Sequence, residues 1–153
     1  MKKLILVFAA VSFISVTALT QNATEVPSKV KTAFDQKFKG TQKEKWGKEN
    51  ANEWEAEFTM NNKEYSANFS AEGTWLETEY KISEKEIPVA VIKTLSKEFP
   101  GYKLLESEVS ETGKGKVFEF EVQTGKTKME ISVNTDGTLI KKEPVKEKGE
   151  EKD

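Results

Sequence analysis

The chain has 153 residues, with 24 Lys+Arg against 26 Asp+Glu and a formal net charge of −2. Every cation is a lysine, and the sequence contains neither His nor Cys. Catalysis by a Ser-His-Asp triad or a cysteine nucleophile, zinc or haem sites of the usual ligand types, and disulfide bonds are therefore excluded. The mildly acidic charge also argues against a nucleic-acid partner, because contact with phosphates needs a basic surface.

Residues 1–20 are predicted to be a signal peptide. Lys2 and Lys3 give a positively charged start, and residues 4–16 form an almost unbroken apolar run. This run is shorter than the roughly 20 apolar residues that a membrane-spanning helix needs, and small or polar residues follow it. Export of a chain without cysteines suits a bacterial envelope, so we expect a periplasmic or secreted protein with no membrane span after cleavage.

The next segment predicts one helix followed by strands. Apolar residues recur at steps of three and four between Val26 and Phe38, which indicates an amphipathic helix that begins near Pro27 and ends near Gly40. A weak strand is expected near residues 43–48. Alternation of apolar and polar residues then predicts strands over 53–60, 64–69 and 75–82, joined by turns at 61–62 and 72–73.

The same pattern is then repeated. Ile87-Pro88 begins a second helical stripe at an offset of 61 from Val26-Pro27, and the later strands recur at an offset of 64. We expect further strands near residues 103–109, 117–123, 128–134 and 138–142. The predicted domain therefore spans residues 21–143, with repeats over 24–82 and 85–143, and residues 144–153 form a charged, disordered tail.

Each repeat has roughly 60 residues, which is marginal for an independent core. We therefore expect an α+β fold in which two tandem helix-plus-four-strand repeats form one antiparallel sheet, with both helices on one face. A monomer is the expected state.

The ordered motifs resemble those of the PepSY-like family, which is also described as similar to the β-lactamase-inhibitor fold. They are Val-Pro before a helix, Trp46, the strand from Trp54 to Phe58 and the turn at residues 73–76, and the second repeat follows the same order. The resemblance covers about residues 24–143. It implies a periplasmic or secreted protein with no catalytic residues, which binds or inhibits another protein across its open sheet face.

Alternation places a set of mainly acidic residues on the sheet face away from the helices. As a recognition surface this face would use Trp75 as an anchor, because tryptophan is enriched in interface hot spots. The simpler interpretation is a solvated face that keeps the protein soluble. The candidate binding residues are Trp75, Glu55, Glu57, Glu77, Glu79, Glu119 and Glu121.

Carboxylates can also serve in catalysis or in metal binding. Glycosidase chemistry needs one defined carboxylate pair, and no pair stands out, so an enzyme is not expected. Residues 134–137 contain part of a calcium-loop pattern, although Asp-Gly between alternating strands is a common hairpin signal. The sequence thus predicts an exported, non-catalytic protein that binds an envelope protein or peptide and needs no cofactor. A calcium-responsive periplasmic protein is the alternative.

Overall fold

The computed structural model describes residues 25–145, so the predicted signal peptide and residues 146–153 of the predicted tail lie outside the described residues. A helix followed by four strands occurs twice, with a short 3-10 turn between the two units. The elements are α1 (Ser28–Lys37), β1 (Gln42–Asn50), β2 (Glu53–Met60), β3 (Lys63–Ser70), β4 (Trp75–Lys81), the 3-10 turn (Glu84–Glu86), α2 (Val89–Glu98), β5 (Lys103–Thr112), β6 (Gly115–Thr124), β7 (Thr127–Asn134) and β8 (Leu139–Pro144).

The two helices start and stop as the sequence predicts. Pro27 and Pro88 occupy the N-cap positions, where the missing N–H of proline costs the helix no hydrogen bond. Gly40 and Gly101 follow the helices with φ angles of 73° and 71°, a conformation that glycine adopts without strain.

The eight strands form one sheet in the order β1 to β8, and every neighbouring pair is antiparallel. The hydrophobic face of the sheet is continuous across the join between the two units. Tyr80 pairs with Val109, and Val109 pairs with Phe118, so all three side chains lie on the same side. Both helices therefore pack on the same face of the sheet, and the predicted α+β architecture is confirmed.

The hydrophobic residues form two clusters and not one shared core. The first lies under α1 and is mainly aromatic, with Phe34 within 5.0 Å of Phe58 and 5.1 Å of Trp46 between ring centroids. The second lies under α2 and is mainly aliphatic, built around Val91 and Leu95. The Tyr65 and Tyr80 rings, 5.2 Å apart, link the two clusters. Each helix is ten residues long and packs mainly on the strands of its own unit, with Tyr80 of β4 also contacting the second cluster.

Two glycines bring hairpin turns close to the helices. A Cβ atom on Gly73 would lie 2.7 Å from the Lys29 carbonyl oxygen, and one on Gly137 would lie 2.8 Å from the Ala90 carbonyl oxygen. Their φ angles are 85° and 90°. Glycine is thus required twice over at each turn, for its backbone angle and for the close approach to the first helical turn.

A β-bulge at the start of β4 changes the side of the sheet that Trp75 occupies. Asn68 pairs with Glu77 and Phe69 pairs with Trp75, so Leu76 is an extra residue in the ladder. The prediction that Trp75 lies among the glutamates on the outer face is therefore wrong. The same shift occurs between β7 and β8, where Val133 pairs with Leu139 and Ile140 is extra.

Two smaller features also differ from the prediction. The last strand extends to Pro144, and the Val145 amide donates to the Lys128 carbonyl, so the chain stays in the sheet beyond residue 142. The 3-10 turn is held by a capping box in which Ser83 and Glu86 bond each other's backbone and side-chain groups.

Candidate functional site: the acidic sheet face

The sheet face opposite the helices is strongly acidic across its central strands, and we refer to the outward residues of β2 to β6 as the acidic face. Their membership follows from the register, because direct partners in neighbouring strands point to the same side. The carboxylates are Glu53, Glu55, Glu57, Glu64, Glu77, Glu79, Glu106, Glu108, Glu119 and Glu121, and the only ammonium groups that β2 to β6 place there are those of Lys81 and Lys103. This set contains every glutamate of the predicted site.

The middle of the acidic face is shielded from solvent. Ser110 is only 4% exposed, and Glu55, Glu79 and Glu119 are half-buried; Ser132, on the adjoining strand β7, is 3% exposed. Within residues 25–145 no helix packs on this side of the sheet, so neighbouring strands and their side chains provide the shielding. The face is therefore recessed, and not the flat solvated surface that a purely solubilising role requires.

A cavity of about 540 Å³ lies at one end of this recess. Its walls include Glu57 on β2, Ser66 on β3, Glu79 on β4 and Glu108 on β5. Lysines and the aromatic side chains of Phe58, Tyr65 and Tyr80 also line it. The cavity therefore joins residues from both units of the chain. A volume of this size accommodates several side chains of a bound segment.

The carboxyls of Glu79 and Glu119 hold their protons unusually tightly. Burial, followed by the negative charges of nearby glutamates, raises the pKa of Glu79 to about 8 and that of Glu119 to about 9. The pKa values of Glu55 and Glu108 are raised for the same two reasons. Lys141 opposes the shift at Glu119, and no cation appears among the influences on Glu79. The face thus contains more carboxyl groups than can all be ionised at neutral pH.

Several oxygens in the recess have no partner. Glu55, Glu77 and Glu79 form no ion pair in the part of the chain that the structure covers. The buried Asn68 Oδ1 and Ser132 Oγ atoms accept and donate no hydrogen bond. Buried polar atoms in folded proteins nearly always have partners, so these two atoms are exceptions that mark an incompletely satisfied polar region of the sheet.

The ion pairs of this face lie mainly around its margin. Lys81 contacts Glu106 and Glu108, and Lys128 lies 2.8 Å from Glu121. Lys141 on β8 is 3.3 Å from Glu130. The centre of the face is therefore left without cations while its edges are neutralised.

Trp75 takes part in the first hydrophobic cluster and not in the acidic face. Its indole Nε1 donates a 2.9 Å hydrogen bond to Thr78 Oγ1, and Lys37 Nζ of α1 lies 3.4 Å above the ring centroid. The bulge at Leu76 explains this placement. The contacts assign Trp75 a structural position between the sheet and α1.

The calcium-loop fragment serves as a turn. The Thr138 amide donates a 2.8 Å hydrogen bond to Asp136 Oδ1, and the Gly137 amide donates to the Asn134 carbonyl. Among residues 25–145, no group of three or more acidic side chains has an arrangement that could hold a metal ion. The calcium hypothesis stays a prediction, and this geometry lends it no support.

Sequence reasoning missed the polar centre of the recess. Glu108 and Ser110 on β5 were not selected, because their face depends on the β4–β5 pairing that joins the two units. Alternation puts Asn68 and Ser132 on the outward side of their strands, but it does not predict that their oxygens are buried. The offset of 64 that relates them was the available signal.

Comparison with known proteins places the chain in a family. A family model described as "Putative beta-lactamase-inhibitor-like, PepSY-like" matches residues 52–141. The chain belongs to the PepSY-like family. The model leaves out α1 and β1, whereas the motifs in the sequence extend the likeness back to about residue 24. A search of proteins with curated functions found no match.

Solved structures from Bacteroides share the fold of this PepSY-like chain. A DUF2874 family protein from Bacteroides uniformis superposes with a TM-score of 0.72 at 20% identity, covering 78% of this chain and 89% of that one. One described under "putative periplasmic proteins" from Bacteroides eggerthii also gives 0.72, at 16% identity and 79% and 90% coverage. A BLIP-like protein from Bacteroides fragilis gives 0.71, at 19% identity and 83% and 92% coverage.

None of the helices in residues 25–145 is long and apolar enough to cross a membrane.

Proposed function

We propose that this PepSY-like protein is an exported, non-catalytic binding protein whose acidic face receives an envelope protein or peptide. The observation that carries the proposal is the half-buried state of Glu55, Glu79 and Glu119 on a face that no helix covers in the described chain. Burying carboxylates without cations costs folding free energy. A face that served only solubility would place its charges at the rim, where burial is slight.

The recess supports binding more than catalysis. Its groups are carboxyls, hydroxyls and one amide, and the raised pKa values spread over four glutamates and do not single out one acid–base pair. The family description as β-lactamase-inhibitor-like agrees with a role in blocking or sequestering a partner. A periplasmic or secreted location follows from the predicted signal peptide, and one protein of the same fold is described as periplasmic.

The absence of cysteine makes a site-specific test direct. Ser66 lies in the wall of the cavity between Glu57 and Glu79, so Ser66→Cys allows a photo-crosslinker to be attached within the acidic face. We expect this derivative, expressed in the native envelope, to capture a specific protein or peptide. Lys93→Cys on the exposed side of α2 is the matched control.

The comparison between the two positions decides the outcome. Capture of the same species at equal yield from Ser66→Cys and Lys93→Cys, or of nothing from either, would refute binding through the acidic face. A product that forms only from position 66 would support it.

A further inference from the structure

The side of the sheet opposite the helices contains two equivalent triplets of neighbouring residues. Glu55, Asn68 and Glu77 are register partners across β2, β3 and β4. At an offset of 64, Glu119, Ser132 and Lys141 are register partners across β6, β7 and β8, and they form the second triplet. In both triplets the middle residue has a buried oxygen without a partner.

The two triplets differ in charge at their third position. In the second triplet Lys141 brings an ammonium group whose side chain is only 18% exposed, and which lies 3.3 Å from both Glu130 and Glu143. In the first triplet the third residue is Glu77, which accepts a hydrogen bond from Ser110 Oγ. The first triplet therefore has a glutamate on each side of Asn68 in the ladder and has no cation of its own.

We propose that the first triplet is a receptor for a lysine ammonium group of the binding partner, which supplies the positive charge that Lys141 brings to the second triplet. This inference rests on the proposed function and names the chemistry of the partner as a cationic segment. An ammonium group carries three N–H donors and no acceptor. The Glu55 and Glu77 carboxylates offer acceptor oxygens to it.

The surrounding charges favour the same occupant. The neighbouring carboxyls of Glu57 and Glu79 also lack ammonium partners in residues 25–145, so an incoming cation relieves repulsion at several groups together. The exposed sides of the helices instead carry lysines, including Lys31, Lys93 and Lys97. This separation of charge orients a basic segment toward the recess.

Glu77→Lys tests the inference without knowledge of the natural partner. This variant gives the first triplet an internal ammonium group, as Lys141 does for the second, and we expect its melting temperature to exceed that of the wild type. Glu64→Lys makes the same charge change at an exposed position of β3 and serves as the control. A melting temperature that falls for Glu77→Lys, or that rises equally for both variants, would overturn the inference.

Binding of a synthetic octalysine peptide, measured by calorimetry at low ionic strength, gives the second readout. We expect Glu77→Lys to weaken binding by about tenfold or more, and Glu64→Lys to weaken it by no more than about threefold. Glu55→Gln keeps the shape of its side chain and replaces Glu77→Lys in this test if that variant does not fold. We expect it to weaken binding similarly. Equal weakening at positions 64, 55 and 77 would show general charge attraction and refute the receptor site. If binding weakens equally at all three positions but Ser66→Cys still gives a specific crosslink, the receptor site is refuted and the proposed function stands. If the crosslink fails, the comparison of melting temperatures still tests the receptor site.

Discussion

Glu77 and Lys141 occupy equivalent positions in the two halves of the sheet and carry opposite charges. Each is the register partner of a residue with a buried, unpartnered oxygen, Asn68 for Glu77 and Ser132 for Lys141. The second half thereby supplies a cation to its own carboxylates, and the first half does not. Because of this difference, the carboxylates in the first half of the sheet lack a neutralising cation within residues 25–145.

Stability is expected to fall as the pH rises from about 5 to about 9. The folded protein holds protons on Glu79 and Glu119 with pKa values of about 8 and about 9, whereas an unfolded glutamate loses its proton near 4.3. Because the folded state binds more protons in this range, the free energy of unfolding decreases with pH. Urea unfolding at a series of pH values measures this slope.

The variants Glu79→Gln and Glu119→Gln should each flatten that decline, while Glu64→Gln leaves it unchanged. Below about pH 4.5 the trend should reverse, because the pKa of Glu86 is lowered to about 2 and that of Asp136 is also lowered by hydrogen bonds to their carboxylates. A flat profile between pH 5 and 9 in the wild type would contradict the buried-carboxyl account.

Replacing either turn glycine should destabilise the fold. Gly73→Ala and Gly137→Ala each put a Cβ atom within 2.8 Å of a helix carbonyl oxygen and force a residue with a side chain to keep a positive φ angle. We expect losses of about 2 kcal/mol or more in the free energy of unfolding. Gly47→Ala is the control, because its Cβ meets no atom within 4 Å. Chemical denaturation of the three variants makes the comparison, and equal effects at positions 47 and 73 would contradict it.

Removal of the Trp75 side chain should affect stability and not binding. Trp75→Ala loses the hydrogen bond to Thr78, the contact with Lys37 and part of the first cluster, which amounts to about 2 kcal/mol for a partly buried indole. The variant should still be captured through the crosslinker at position 66. If Trp75→Ala remains folded by circular dichroism but is no longer captured, Trp75 takes part in binding and this prediction is wrong.

Binding of a cationic peptide is expected to release protons. An ammonium group near Glu79 stabilises the ionised carboxylate, so its pKa falls in the complex. Affinity for octalysine should therefore rise between about pH 6 and about pH 8, and calorimetry in buffers of different ionisation enthalpy should detect the released protons. Affinity that does not change with pH would show that Glu79 is not involved.

Much of the fold could be predicted from residue patterns, because each pattern reflects local chemistry. The helical stripes, the proline starts and the glycine stops all depend on neighbours within one or two turns. The turn at Asn61 and Asn62 was predicted from the tolerance of asparagine for positive φ, and both residues adopt it, at 54° and 62°. The two-residue alternation in the strands, together with the repeat of the helix-plus-four-strand pattern, then predicts one sheet with both helices on one face.

The site was harder to predict because it depends on pairing between distant strands. One extra residue, Leu76, reverses the direction of Trp75, and alternation alone cannot locate such a bulge. The glutamates of the acidic face were placed on the correct side. Their burial was not predicted, since it results from the recess that β2 to β6 form together and not from any local pattern.

The most direct test of the central claim is amide-resolved nuclear magnetic resonance of the intact mature protein titrated with octalysine at low ionic strength. Binding in the recess predicts chemical-shift changes concentrated at Ser66, Asn68, Glu77 and Ser110, with the amides of α1 and α2 unchanged. Changes spread evenly over all exposed glutamates, or centred on the helices, would contradict the claim that the acidic face is the binding surface.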